Sequence, residues 1–296
     1  MTETHAPPPP VVADVPPVEV AEGVFVIPDG RVPLVPNVGI VVGDREALVV
    51  DTGMGPKNGL RVREKARSLT DKPLVLTITH FHPEHGFGAQ VFADTRIVYN
   101  RSQGEELDRK GAAYLEMFRG FGEGVAEQLE GVELVQPHEV YDDRLDFDLG
   151  GKPVELRFFG QAHTRGDQVV FLREQRVLFT GDLVETRLFP IFPWFPPDDT
   201  DVHGSKWIEV LGRLEALEPD VVVPGHGEVG GSELIGEVRA YLEDVRERVR
   251  EASAGGGAEE ELRERLEPEI RADYPSWDAP EWIPLAIACF HHELHG

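Results

Sequence analysis

The amino-acid sequence predicts an α+β protein built from two sheets packed face to face, with helices on the outside. Strand-like runs rich in β-branched residues occur in two comparable clusters along the chain. Each cluster is accompanied by stretches of helical spacing, and Gly-containing turn signals separate the strands. No fixed-period repeat cuts across this order. With 296 residues, 41% of them hydrophobic, the chain holds enough apolar material for a sizeable core.

Taken in order, residues 1–17, "MTETHAPPPPVVADVPP", are proline-rich and read as a disordered or polyproline-like arm. Folded sequence starts at Val18. "VEVAEGVFVIP" and "VGIVVGDREALVVDTG" read as hairpin-linked strands, "GLRVREKARSL" as a helix and "PLVLTITH" as a buried strand. Helical stretches follow at Gly88–Phe92 and from Gln103 to Leu129, the second interrupted by glycines. The second cluster comprises "KPVELRFFG", "DQVVFLRE" and "RVLFTGD", then the helix "VHGSKWIEVLGRLEAL" and the strand "DVVVPGHG". "ELIGEVRAYLEDVRERVREA" is a long amphipathic helix whose arginine–carboxylate pattern marks a solvated face. "SAGGGA" reads as a flexible break, followed by a charged helix and an apolar close in which Trp277 and Trp282 cover the core or dock a second subunit. The expected organisation is therefore an arm at 1–17, a domain at 18–252 and a helical extension at 253–296.

Net charge is −25, from 54 acidic and 29 basic residues. Such a surface repels nucleic-acid phosphates and anionic membranes, and it suits a small-molecule substrate. The N-terminus lacks a basic region ahead of an apolar stretch, so it does not read as a secretory signal, and no apolar run is long enough to span a bilayer. A cytoplasmic protein is expected. The single cysteine, Cys289, excludes an intramolecular disulfide framework and a multi-cysteine zinc site, and its apolar surroundings "IPLAIACF" suit a buried, inert thiol.

The densest chemistry lies in "TITHFHPEHGFG". His80, His82, Glu84 and His85 fall within six residues at the end of an apolar strand. Residues two apart on an extended segment point the same way, so His80 and His82 can share one ion, while Glu84 and His85 lie further round the turn and can serve a second. Three more donors sit beside β-rich runs: His163 in "GQAHTRGDQVVFL", Asp182 in "LFTGDLVE" and His226 in "VVVPGHGEV". Asp51 in "LVVDTGMG" is a further carboxylate at a strand end. Singly, each of these is as readily a turn residue. Together and in this order they mark a metal centre. The C-terminal His291, His292 and His295 read instead as a solvated helix end.

The succession "VVDTG", "THFHPEH", "AHTRGD", "FTGD" and "VPGHG" resembles the five motifs of the metallo-β-lactamase superfamily, over Val18 to Gly231. The resemblance implies an αββα sandwich of two mixed β-sheets flanked by helices, with the metal site at the sheet edge. Carried over position by position, His80, His82 and His163 would hold one ion. Glu84, His85 and His226 would hold a second, Asp182 would bridge the two, and Asp51 would orient the ligand loop. The sequence departs from the family pattern at Glu84, where the family has aspartate. The extra methylene moves the carboxylate by roughly 1–1.5 Å, against a tolerance of about a few tenths of an Å in metal–oxygen distance. Three outcomes follow: Glu84 binds the second ion directly, which we favour; it steps back and acts as general base; or the second site weakens.

With two ions in place, a bridging hydroxide attacking a small-molecule ester, thioester, lactone or amide is the expected chemistry, with Asp182 and Glu84 as its catalytic carboxylates. Donors without thiolates suit two divalent ions, Zn(II) first and Fe(II) or Mn(II) as alternatives. The proline-stiffened segment "RLFPIFPWFPPDDTD" places Phe189, Phe192, Trp194 and Phe195 as walls of an apolar substrate pocket, with plugs of the sheet edge as the alternative. The main rival is a mononuclear iron oxidoreductase resembling persulfide dioxygenases, which a lost second site would favour. A nuclease is disfavoured by the acidic balance, and a non-catalytic binding protein by the near-complete ligand set. A glutathione-thioester hydrolase is disfavoured by the acidic C-terminal tail.

Overall fold

The computed structural model describes residues 8–256 and 258–295. The chain divides into two compact units. Unit 1 runs to Arg157 and includes Val170–Gln175, and unit 2 comprises Phe158–Val169 and the residues from Arg176 onward.

Unit 1 opens with two hairpins. β1 (Val18–Ala21) and β2 (Val24–Ile27) turn at Gly23, whose φ of +68° lies in the left-handed region that glycine enters freely. β3 (Val38–Val42) and β4 (Ala47–Val50) form the second antiparallel pair, with Gly39 opposite Val50. Helix α1 (Gly55–Leu69) then crosses back to β5 (Leu74–Thr77), which runs parallel to β4. All four residues of β4 and of β5 are buried, as expected of parallel strands covered on both faces. The short helix α2 (Pro83–Gly86), a 3₁₀ turn at Ala89–Phe92 and β6 (Arg96–Asn100) follow. Helices α3 (Arg101–Arg119) and α4 (Glu123–Gln128) lead to β7 (Glu139–Tyr141), which completes a seven-stranded sheet in the order β1 to β7. The core of this unit gathers Val38, Ile40, Val49, Leu76, Phe81, Phe92 and Tyr99 among others.

The remaining strands, β8 (Arg144–Asp148), β9 (Pro153–Phe158), β10 (Gln168–Leu172), β11 (Val177–Glu185) and β12 (Val221–His226), form a five-stranded sheet in the order β12-β11-β10-β9-β8. β8 and β9 are antiparallel, whereas β11 and β12 are parallel and are connected through α5 (Gly204–Glu215). Helices α6 (Glu233–Ser253), α7 (Glu259–Asp273) and α8 (Ile283–His295) complete unit 2. Two mixed sheets accompanied by helices are the elements of the expected αββα fold. Among the described residues no helix is long and apolar enough to cross a membrane.

Several expectations change. Residues 1–7 of the expected arm lie outside the described residues, but the arm from Pro8 on packs along unit 1. Val12 is only 1% exposed, and the Asn58 side chain accepts from Val12 N at 2.8 Å and donates to the Pro10 carbonyl at 2.8 Å. Burying one apolar residue and satisfying its backbone overrides the compositional signal. The helix expected at 103–129 is two helices, broken where Gly122 takes a φ of +132°.

The segment expected as a C-terminal extension is part of unit 2. Phe189 N donates to Asp278 O and Asp278 N to Arg187 O, both at 3.0 Å. Trp277 packs with Tyr274 and Phe189 at ring separations of 4.7 and 5.6 Å, so it covers core. Cys289 is fully buried on α8, where burial first and the nearby Glu293 carboxylate second push its thiol well above the usual range.

Candidate metal centre

In unit 1 the donors sit on a loop that leaves β5 and is fixed from behind. Asp51 follows β4 directly and adopts a φ of +69°, a left-handed conformation that aspartate tolerates better than most residues. From there its carboxylate accepts from Thr79 N at 2.7 Å and Thr79 Oγ1 at 2.9 Å, and it meets His85 Nδ1 at 2.9 Å. Thr79 Oγ1 also lies 3.2 Å from His80 Nδ1. The Gln103 amide, one turn into α3, donates to the carbonyls of Ile78 and Thr79 at 2.8 and 2.7 Å. Thr52 holds the far end of the loop, donating from Oγ1 to the His85 carbonyl at 2.8 Å.

These anchors bury His80, His82, Glu84 and His85 to 4% exposure or less. The His80 ring centroid lies 4.6 Å from that of His82 and 4.2 Å from that of His85. One donor atom of His80 lies within 4.8 Å of one of His82, and the same holds for Glu84 and His85. Because His85 spends Nδ1 on Asp51, its Nε2 is the nitrogen left to face a metal. Behind Asp51 stands Tyr99, whose hydroxyl is pushed well above its usual pKa by burial and by the Asp51 carboxylate, and so stays neutral.

Unit 2 presents its donors differently. His163 lies in the connection between β9 and β10, with Nδ1 2.9 Å from the Ile191 carbonyl and its ring edge-on to Trp207. Asp167 closes the turn after it, accepting from Thr164 N at 2.8 Å and from Thr164 Oγ1 at 2.8 Å. Asp182 lies inside the nine-residue strand β11 rather than in a loop beside it. Gly181, with a φ of +54°, lets the register against β12 shift there, so the strand continues and turns the carboxylate to its task. His226 ends β12, and its carbonyl accepts from Thr186 N at 3.0 Å.

The two Asp182 oxygens lie 3.8 Å from His163 Nε2 and 3.7 Å from His226 Nε2. Both spacings exceed a hydrogen bond. They are close to the roughly 3.4 Å that separates two donors bound at about 2.0–2.1 Å to one tetrahedral ion. Gly225 makes the arrangement possible, since a Cβ at that position would fall 1.9 Å from Asp182 Oδ1. Imidazoles and carboxylates without a thiolate fit a divalent ion of the zinc, iron or manganese kind. The donor set of each unit passes this test separately.

Thr79, Gln103, Asp167 and Gly225 emerge as supports only in the structure. Gln103 had a legible signal, because Asn100 and Gln103 form a capping box at the start of α3. The aromatic loop requires a correction. Phe189 and Phe192 are 0% exposed. Phe189 is packed with Tyr241, Tyr274 and Trp277, and Phe192 with Trp207 and Phe290, so neither offers a face to a ligand. Trp194 is 7% exposed and rests on His292 at 4.9 Å, which leaves half-buried Phe195 as the most open ring of the four. His291 and His295 lie on α8 with their rings 4.6 Å apart.

A sequence model of the metallo-β-lactamase superfamily matches residues 31–226, from before Asp51 through His226. The chain belongs to the metallo-β-lactamase superfamily. It is 26% identical to a linear primary-alkylsulfatase of Pseudomonas sp. (strain ATCC 19151), over 67% of this chain and 43% of that protein, so the match spans less than half of that relative. It is 27% identical to a metallo-β-lactamase type 2 of Bacteroides fragilis, over 72% of this chain and 79% of the relative. An acyl-coenzyme A thioesterase of Gallus gallus is 24% identical over 67% of this chain and 74% of its own length. Among solved structures, the DIM-1 metallo-β-lactamase shares the fold with a TM-score of 0.62 at 18% identity, covering 79% of this chain and 98% of that one.

Proposed function

We propose that the protein is a two-metal hydrolase acting on a small-molecule ester, thioester, lactone or amide in the cytoplasm. The observation that carries this is the Asp182 carboxylate, which meets His163 on one oxygen and His226 on the other at metal-ligand rather than hydrogen-bond spacing. Following the superfamily's motif order, we assign His80, His82 and His163 to one ion, Glu84, His85 and His226 to the other, and Asp182 to both. Zn(II) is the first choice on donor chemistry, with Fe(II) or Mn(II) as alternatives. When bound, such ions supply a water-derived nucleophile near neutral pH and polarise the substrate's carbonyl.

The chain's own residues do the positioning. Asp51 holds His85 in the tautomer that presents Nε2, the Ile191 carbonyl does the same for His163, and burial of every donor excludes competing water. Glu84 supplies the carboxylate of the second set, as a direct ligand. An alkylsulfatase, a β-lactamase and an acyl-coenzyme A thioesterase among the relatives support hydrolysis. The −25 net charge supports a small-molecule substrate over a nucleic acid or an anionic membrane.

Rates with matched esters, lactones, thioesters and amides, before and after chelation and zinc restoration, test the proposal. Chelator-sensitive, zinc-restored turnover of at least one class is expected, and turnover indifferent to chelation of every ion would overturn it. The replacement of aspartate by Glu84 favours one second reading, a mononuclear iron oxidoreductase. It predicts one iron per chain and oxygen consumption.

A further inference from the structure

Polar contacts orient the rings of proposed histidine ligands: His85 with Asp51, His163 with the Ile191 carbonyl, and His80 with Thr79. His82 is also gripped by aromatic faces. Its ring is edge-on to Phe81, with centroids 4.9 Å apart, and it lies nearly parallel to Tyr114 at 5.2 Å and 16°. Tyr114 is itself held on three sides. Phe81 meets it edge-on at 4.9 Å, Phe118 stacks below it at 6.1 Å, and the Lys110 ammonium sits 6.0 Å from its ring and 5.5 Å from that of Phe81.

Gln103, Lys110, Tyr114 and Phe118 are spaced by seven, four and four residues, so they share one face of α3. The same face bonds the backbone of the ligand loop through Gln103. Lys110 is 8% exposed and Glu106 1% exposed, with their charged groups 3.7 Å apart, so the platform under Tyr114 is rigid and dry.

We infer that Tyr114 is a positioning residue for the metal centre, fixing the ring plane of His82 by stacking rather than through its hydroxyl. This rests on the functional reading above, in that it takes His82 to be a ligand. An imidazole must point its nitrogen lone pair at the ion, and a ring free to rotate about χ2 spends part of its time pointing elsewhere. Stacking fixes that rotation at a ligand of the first ion, as hydrogen bonds do at its neighbours.

The test uses the full chain and four substitutions: Tyr114→Phe, Tyr114→Leu, Tyr114→Met and Phe118→Leu. Zinc affinity is measured by competition with a chromophoric chelator, and geometry by the visible absorption of the Co(II)-loaded protein. Tyr114→Phe keeps the face and is expected to bind within about 2-fold of the starting protein. Tyr114→Leu and Tyr114→Met remove it and are expected to weaken one ion by roughly 10–100-fold, the usual cost of losing a group that orients a ligand, with an altered Co(II) spectrum. Phe118→Leu loses packing in the same ladder but keeps the Tyr114 ring on His82, so its melting temperature should fall while zinc affinity holds. Tyr114→Met guards against a Tyr114→Leu protein that does not fold. Unchanged affinity in Tyr114→Leu or Tyr114→Met would overturn the inference, as would a Phe118→Leu protein that loses as much zinc affinity as they do. A starting protein that takes up no ion at all would overturn the functional reading instead.

Discussion

Unit 1 draws four donors from the six residues His80 to His85, whereas unit 2 draws three from a connection, a strand interior and a strand end. The dense loop cannot hold its own shape, since consecutive imidazoles on a turn have many arrangements. Side chains brought from elsewhere fix it: Asp51, Thr52, Gln103 and, by stacking, Tyr114. The dispersed donors rest on a frame that is already rigid, and there the fine adjustment is made by backbone: the Ile191 carbonyl, the bulge at Gly181 and the missing side chain at Gly225. The outer supports of unit 1 are therefore polar and aromatic side chains, whereas unit 2, beside the Asp167 carboxylate and the Trp207 ring, leans more on glycines and carbonyls.

This contrast is sharpest at Asp182. Asp182→Ala removes the carboxylate that meets both His163 and His226, and its loss of zinc affinity and of kcat/KM should exceed the roughly 10–100-fold expected for an orienting residue. Chelator competition and substrate kinetics check it. In unit 1, Asp51→Asn replaces an acceptor-only group by one that points a donor at Thr79 or His85, and zinc affinity should fall by about 10–100-fold. A similar loss from removing any side chain around His226 other than Asp182 would blur the distinction between the units.

Gly225→Ala attacks unit 2 through its backbone. A Cβ 1.9 Å from Asp182 Oδ1 must displace that carboxylate. The expected results are a stability loss of about 1–3 kcal/mol, the usual cost of overpacking, and weaker zinc binding than in the starting protein. Denaturant titration of the metal-depleted and zinc-loaded forms separates the two effects. The smallest effect is expected at Cys289. Burial keeps its thiol protonated, so alkylation at pH 8 should be slow in the native protein and fast in denaturant.

The sequence announced the loop of unit 1 because three imidazoles and a carboxylate in six residues have few other uses. It also announced β3, β4 and β5, whose unbroken apolar runs suit strands buried on both faces. β7 and β8 carry no such signal. β8 reads "RLDFD", with exposed charges on alternate residues, and an alternating edge strand looks like a polar loop when its partner is unknown. The aromatics of "RLFPIFPWF" were legible as a cluster, but their burial depends on Tyr241, Tyr274 and Phe290, which lie about 50 to 100 residues away in sequence. Gly225 looked like a turn glycine. Only the position of the Asp182 carboxylate gives it a purpose.

The most direct test is the metal content of the full chain, purified after expression with zinc, iron and manganese all supplied, beside that of Glu84→Gln. A two-metal hydrolase with Glu84 as a ligand predicts close to two zinc or manganese ions per chain, falling toward one in the variant. One iron per chain, unchanged in Glu84→Gln and accompanied by oxygen consumption, would contradict it and make the protein an iron oxidoreductase.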